Sequence, residues 1–410
     1  MSVESLKYLL VGVLVFGFLV RKTLKYLNVK NPPIKIPQTL SEYLSDEKLK
    51  ESRAYQAENF KFGLVAGTFS FVLTLLFVGM GWFGAIDTWL DGFGLTPLVQ
   101  SLVFFALIFV GSDVLSLPFD YYATFVIEEK YGFNKSTLSV FLGDKVKGYF
   151  LSILVGGGLL LVFLWLIQQM GKDFWWIFWI VATVFMVLVN LFYTAWILPL
   201  FNKLTPLEDG ELKENILRYA KSVGFSLDNI FIMDGSKRSS KANAFFSGLG
   251  KRKKVVLYDT LLEQHPPDEL VAVLAHEIGH YKKKHIPVSM VLSVLQVGLM
   301  LFLLAQVVFS ENMSLALGGK DWSVELNIIG FTMLFTPVSM VLGVGMNWFS
   351  RKNEFEADAF AKETFAGKPL AEALKTLSVK TLSNLNPHPW YVLVNYSHPP
   401  LLERLERLES

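Results

Sequence analysis

The chain contains no cysteine. Disulfides, thiolate metal ligands and a cysteine nucleophile are therefore excluded, and any bound metal must be held by histidines and carboxylates. Histidine is scarce as well, six in 410 residues, so a cluster of them carries information. Charge is thin: Asp, Glu, Lys and Arg make up 18%, against roughly a quarter in soluble domains. The net charge of +2 offers no field for a polyanion, and nucleic acid is not an expected partner. Internal repeats and low-complexity tracts are absent, and only one long polar region occurs. What is abundant is apolar: 52% hydrophobic and 14% aromatic residues, with a mean hydropathy of +0.41. That is the composition of an integral membrane protein.

Seven apolar runs approach the length of about 20 residues that spans a bilayer, at 6–20, 63–84, 98–118, 149–170, 175–198, 286–309 and 326–349. The first is short, but no small-residue cleavage site follows it and Arg21, Lys22 and Lys25 do, so it reads as a signal anchor and not as a removable signal peptide. Lysine and arginine concentrate on the cytoplasmic side of short loops. With the N-terminus outside, only Lys7, Lys172 and Lys320 of the 38 basic residues fall on the outer side. The polar region and the tail then face the cytoplasm. The chain divides into 1–200 with five spans, a cytoplasmic α+β unit at 201–285, two further spans at 286–349 and C-terminal helices at 350–410.

In the polar region a helical pattern at 212–223 precedes strand-like runs at 230–233 and 254–258. The alternating stretch 243–250 reads as an edge strand, forming a hairpin with 255–258 across the turn Lys251 to Lys253. Pro266, Pro267, Asp268 and Glu269 then open a helix, with proline and acids where a helix N-terminus favours them.

That helix carries His276-Glu277-Ile-Gly-His280. Histidines four apart share a helix face and can bind one metal, while Glu277 leans toward a water on it. A catalytic zinc takes three protein ligands, so one is missing. In the extended pattern a third histidine would stand at position 286, which is Ile286; His285 is one residue out of register. A carboxylate remains. Glu354 and Asp358 share a face of the helix that follows the seventh run, so one can bind the metal while the other accepts a histidine ring N–H. Glu356 points elsewhere. Near the C-terminus, His398 precedes Pro399-Pro400 and an amphipathic helix containing Arg404; by residue chemistry alone, a turn residue and ordinary packing explain this segment better than catalysis does.

Together with the segments 52–56, 117–134, 197–207 and 243–248, these motifs make the chain resemble the integral-membrane zinc metalloproteases of the CAAX prenyl protease 1 family, the type I CAAX endopeptidases. The resemblance runs from the first loop to the tail. It implies an α-helical multi-pass membrane protein in which seven helices enclose a water-filled chamber, roofed near the cytoplasmic face by a gluzincin-like zinc unit. Asp113, Asn190, Gln296, Asn327 and Asn347 inside apolar runs are compatible with a wet interior, or with pairing between helices. It also implies that one zinc is held by His276, His280 and Glu354. Asp358 would then be the supporting carboxylate, His398 and Arg404 would line the active site, and Asn243, Ala244, Phe245 and Phe246 would hold the substrate backbone.

The reaction expected is peptide hydrolysis with Glu277 as the base, on prenylated CAAX tails from which the last three residues are removed. Compared with larger family members, the link 310–325 is short. Partners would be peptide or prenylated-peptide substrates and membrane lipid, in a bacterial inner membrane or the endoplasmic reticulum membrane. Two other readings are open to the same sequence: a membrane quality-control protease with no need for a prenyl group, and a transporter or client-holding scaffold that does not cut.

Overall fold

In a computed structural model of the chain, residues 1–32, 36–227, 229–247 and 254–410 are described, the side chains of Phe246 and Ser247 excepted. Among them, five helical runs are long and apolar enough to cross a membrane: Val3–Lys30, Asp46–Gly79, Pro97–Glu128, Leu138–Phe201 and His285–Val307. A sixth arises if Val324–Leu334 and Thr336–Thr364 are counted together. Large apolar side chains stand exposed along these helices, Ile153 at 72% and Val341 at 73%. Backbone hydrogen bonds closed within each helix are what lets such segments enter hydrocarbon.

The run Leu138–Phe201 has 64 residues, and at about 1.5 Å per residue it would far exceed a hydrocarbon core of about 30 Å if straight. It is not straight. Gly171 takes φ of 55°, open to glycine without strain. Past it the chain folds back so that the Phe163 ring lies 5.6 Å from Phe174 and 4.7 Å from Phe178. The last apolar run, expected as one span over 326–349, is bent by 50° at Phe335. Pro337 explains the bend, because it has no N–H to continue the preceding helix but fits the first turn of a new one.

Three of the polar residues within apolar runs are satisfied by protein. Asp113 accepts from Lys145 at 2.7 Å, Asn327 donates to the Val308 carbonyl at 2.7 Å, and Asn347 donates to the Val394 carbonyl at 2.7 Å.

The polar region forms a four-stranded sheet from β1 (Leu204–Pro206), β2 (Asn229–Met233), β3 (Ala244–Ser247) and β4 (Lys254–Tyr258), in the order β1-β2-β4-β3. β2 and β4 are parallel, and the outer pairs are antiparallel. The expected pairing of β3 with β4 is present; the turn Lys251 to Lys253 lies outside the described residues. Side chains alternate with period two. Ile230, Val255 and Leu257 join one core with Leu270, Leu274 and Ile278, while Met233 and Val256 join Leu198 on the opposite face. Ala361, Leu370, Leu405 and Leu408 from the C-terminal helices complete the first core.

Candidate metal centre

The helix Pro267–Lys282 sits at the centre of that core. Leu270, Leu274 and Ile278 fall on one stripe and are buried, which turns His276 and His280 toward the helix Thr336–Thr364. The two helices meet at Gly279 and Ala357. A Cβ on Gly279 would lie 3.0 Å from the Ala357 Cα and 3.1 Å from its carbonyl oxygen. Glycine is therefore what permits this approach, and it brings the turn containing Glu354 and Asp358 against the histidines.

His276 Nε2 and His280 Nε2 are 3.1 Å apart. Glu354 faces both: Oε2 lies 3.4 Å from His276 Nε2, and Oε1 lies 3.3 Å from His280 Nε2. One ligand atom from each of the three residues falls within 4.8 Å of the others. Glu354 Oε2 is buried and makes no aligned hydrogen bond, with Arg404 Nη1 3.5 Å away as an ion-pair neighbour, so the oxygen keeps a lone pair free to meet a metal cation. Two imidazoles and one carboxylate thus fit a divalent metal with three protein ligands and an open position. Asp358 stands behind His276, with Oδ1 2.9 Å from Nδ1, in contact but not aligned as a hydrogen bond. Arg404 holds Asp358 with Nε to Oδ2 at 2.8 Å and Nη2 to Oδ1 at 2.6 Å, a bidentate clamp.

The charges reinforce one another. Burial would depress the His276 pKa, but Asp358 and Glu354 outweigh it and push it up to about 9. Burial would raise Glu354, yet His276, His280 and Arg404 hold it well below the usual carboxylate range. Glu277 is half-buried, and burial raises its pKa while the two histidines oppose the rise. Among the described residues no donor meets its carboxylate.

His398 is brought to the same place, with Nε2 3.3 Å from Glu354 Oε1. It borders a cleft of about 390 Å³ lined also by Tyr396, Arg404, Asn384 and Asn395. Of the two residues that place it there, Asn347 was singled out in the sequence only as a polar group within an apolar run, and Arg351 was not singled out at all. Arg351 donates to the carbonyls of Tyr396 and Val392 at 2.5 and 3.0 Å, and Asn347 holds Val394. The signal was available, because Asn347, Arg351, Glu354 and Asp358 are spaced four, three and four apart and form one polar stripe.

The expected substrate strand is β3, an edge strand packed against the metal helix. The Tyr258 N–H donates to the Asn243 carbonyl, and alternation then directs the main-chain groups of Ala244 and Phe246 outward. Asn243 is exposed, its Oδ1 accepting from the Ala244 N–H. Phe245 turns its ring onto Val256 and Tyr258 on the far face.

Residues 25–203 match the family described as CAAX prenyl protease N-terminal, five membrane helices, and residues 206–410 match peptidase family M48. The chain is 35% identical to a CAAX prenyl protease 1 of Saccharomyces cerevisiae, over 92% of this chain and 88% of that one. It is 34% identical to a CAAX prenyl protease 1 homolog of Homo sapiens, over 92% and 89%. The crystal structure of S. mikatae Ste24p superposes with a TM-score of 0.93 at 34% identity, covering 99% of both chains.

Proposed function

Because the chain belongs to the CAAX prenyl protease 1 family of M48 metallopeptidases, we propose that it cleaves prenylated CAAX tails, using zinc held by His276, His280 and Glu354. The observation that carries this reading is the convergence of those three side chains, with Glu277 beside them meeting no hydrogen-bond donor among the described residues. We further propose seven spans, counting the folded-back run as two and the bent pair as one, around a chamber roofed by the site. Lysine asymmetry supports an outer N-terminus and a cytoplasmic site.

Zinc, when bound, supplies a Lewis acid that polarises the scissile carbonyl and acidifies a water. Glu277 takes the proton of the attacking water and passes it to the leaving amine, a transfer suited to a carboxylate whose pKa burial has raised. His398, beside the ligand Glu354, donates to the developing oxyanion. Arg404 keeps Asp358 ionised and fixed behind His276, so that the ring presents Nε2 to the metal. The substrate adds a strand to β3 through the outward carbonyl of Ala244 and the outward main-chain groups of Phe246, next to the Asn243 side chain that holds the Ala244 N–H, while Phe245 anchors the strand from behind.

The test compares a farnesylated CAAX peptide with its unprenylated twin, each with and without chelator. Chelator-sensitive release of the last three residues from the farnesylated peptide alone is expected. Equal cleavage of both peptides would assign the protein to membrane quality control instead, and no chelator-sensitive cleavage of either would sink the peptidase reading.

A further inference from the structure

His285, one residue out of register for a third ligand, is not idle. The metal helix ends at Lys282, and Lys284 adopts φ of 61°, a left-handed turn uncommon for a residue with a side chain. Had the helix continued, His285 would stand roughly 140° around its axis from His280. The turn instead returns it, so that His285 Nδ1 faces His280 Nδ1 at 3.0 Å. The ring of His285 is 7% exposed, and its Nε2 lies 3.1 Å from Glu356 Oε2.

We propose that His285 and Glu356 form a relay that fixes the tautomer and ring angle of His280, making His285 a positioning residue for the metal. The inference rests on the reading that His276, His280 and Glu354 bind zinc. Each proton position then follows from the one before. His280 offers its Nε2 lone pair to the metal, so its proton is on Nδ1. That N–H donates to His285 Nδ1, which must be the bare nitrogen of that ring. The proton of His285 is therefore on Nε2, and it donates to the Glu356 carboxylate. Both zinc-binding histidines thus face a carboxylate of one helix, His276 in direct contact with Asp358 and His280 through a second imidazole that reaches Glu356. The intermediate ring is needed because Glu356 is two residues from both Glu354 and Asp358 and projects from a different side of the helix.

The experiment uses the full chain and measures zinc affinity by chelator competition, the visible spectrum of the cobalt-substituted protein, and the melting temperature of the metal-free form. His285→Phe keeps a ring but removes the acceptor; zinc affinity is expected to fall by about 10- to 100-fold, with the cobalt spectrum altered and the metal-free melting temperature preserved. His285→Asn, whose side-chain oxygen falls near the Nδ1 position, should recover most of that loss. Glu356→Ala, at a side chain 41% exposed and so tolerant of change, should weaken zinc in the same direction. The relay is refuted if His285→Phe binds zinc like the wild type with an unchanged cobalt spectrum. It is refuted too if its loss follows a lower metal-free melting temperature that His285→Asn does not rescue. A wild-type protein that binds no zinc overturns the ligand set itself, a result separable from failure of the relay alone.

Discussion

Replacing Gly279 with alanine should disable the site without touching a ligand. The added methyl would meet the Ala357 Cα at 3.0 Å, its carbonyl oxygen at 3.1 Å and its Cβ at 3.3 Å. Two of these are backbone atoms, so no change of rotamer relieves the contact. Ordinary carbon contacts lie at about 3.5–4.0 Å, and the helices must therefore separate by roughly half an ångström or more. Overpacking of this kind costs about 1–3 kcal/mol. Metal sites tolerate ligand displacements of only about 0.2 Å, and Glu354 lies within one turn of Ala357. Metal affinity should thus fall by at least about tenfold, equivalent to ~1.4 kcal/mol, and turnover with it. Chelator competition, kcat and thermal unfolding of Gly279→Ala measure the effect, with Gly143→Ala as the control, since a Cβ at Gly143 meets nothing within 4 Å. Wild-type metal affinity and turnover in folded Gly279→Ala would refute the claim that this crossing positions Glu354.

Glu277→Gln should abolish peptide cleavage while retaining stoichiometric metal, and full turnover would remove Glu277 from the role of base. His398→Ala should lower kcat by about a hundredfold, the scale of one lost oxyanion donor, with metal content unchanged; metal loss would instead place it among the ligands. Metal binding should also depend on pH. With its pKa pushed up to about 9, His276 is protonated at neutral pH in the metal-free protein. Binding must then expel a proton, and affinity should rise by up to about tenfold per pH unit until near pH 9 and then level off. Calorimetry in buffers of different ionisation enthalpy reads the proton directly, and an affinity independent of pH between 7 and 9 would contradict the assignment.

Much of the centre is legible in the chain as written. Spacing of four places His276 with His280 and Glu354 with Asp358, because a helix returns to one face every 3.6 residues. Composition identifies the membrane, because hydrocarbon admits few polar residues, and the absence of cysteine restricts the donors to imidazole and carboxylate. Short continuous runs of β-branched, aliphatic and aromatic residues pick out β2 and β4, without apolar–polar alternation because different cores cover the sheet on both faces. Those properties are local, and a local pattern suffices for them.

Spacing alone does not distinguish Glu354 from Asp358 as the ligand. That depends on how two helices cross: at the Gly279 contact, Glu354 meets the Nε2 atoms of both histidines, while Asp358 meets Nδ1 of one and is clamped by Arg404. Nor does sequence distance connect Arg351 to the His398 turn or Glu356 to His285, contacts that only helix docking makes, or His285 to His280, which the left-handed turn at Lys284 brings together. The residue types of the metal centre follow from the sequence, as chemistry restricts what can bind a metal. Which atom faces which is a matter of helix crossing and backbone turns, and the tertiary structure alone decides it.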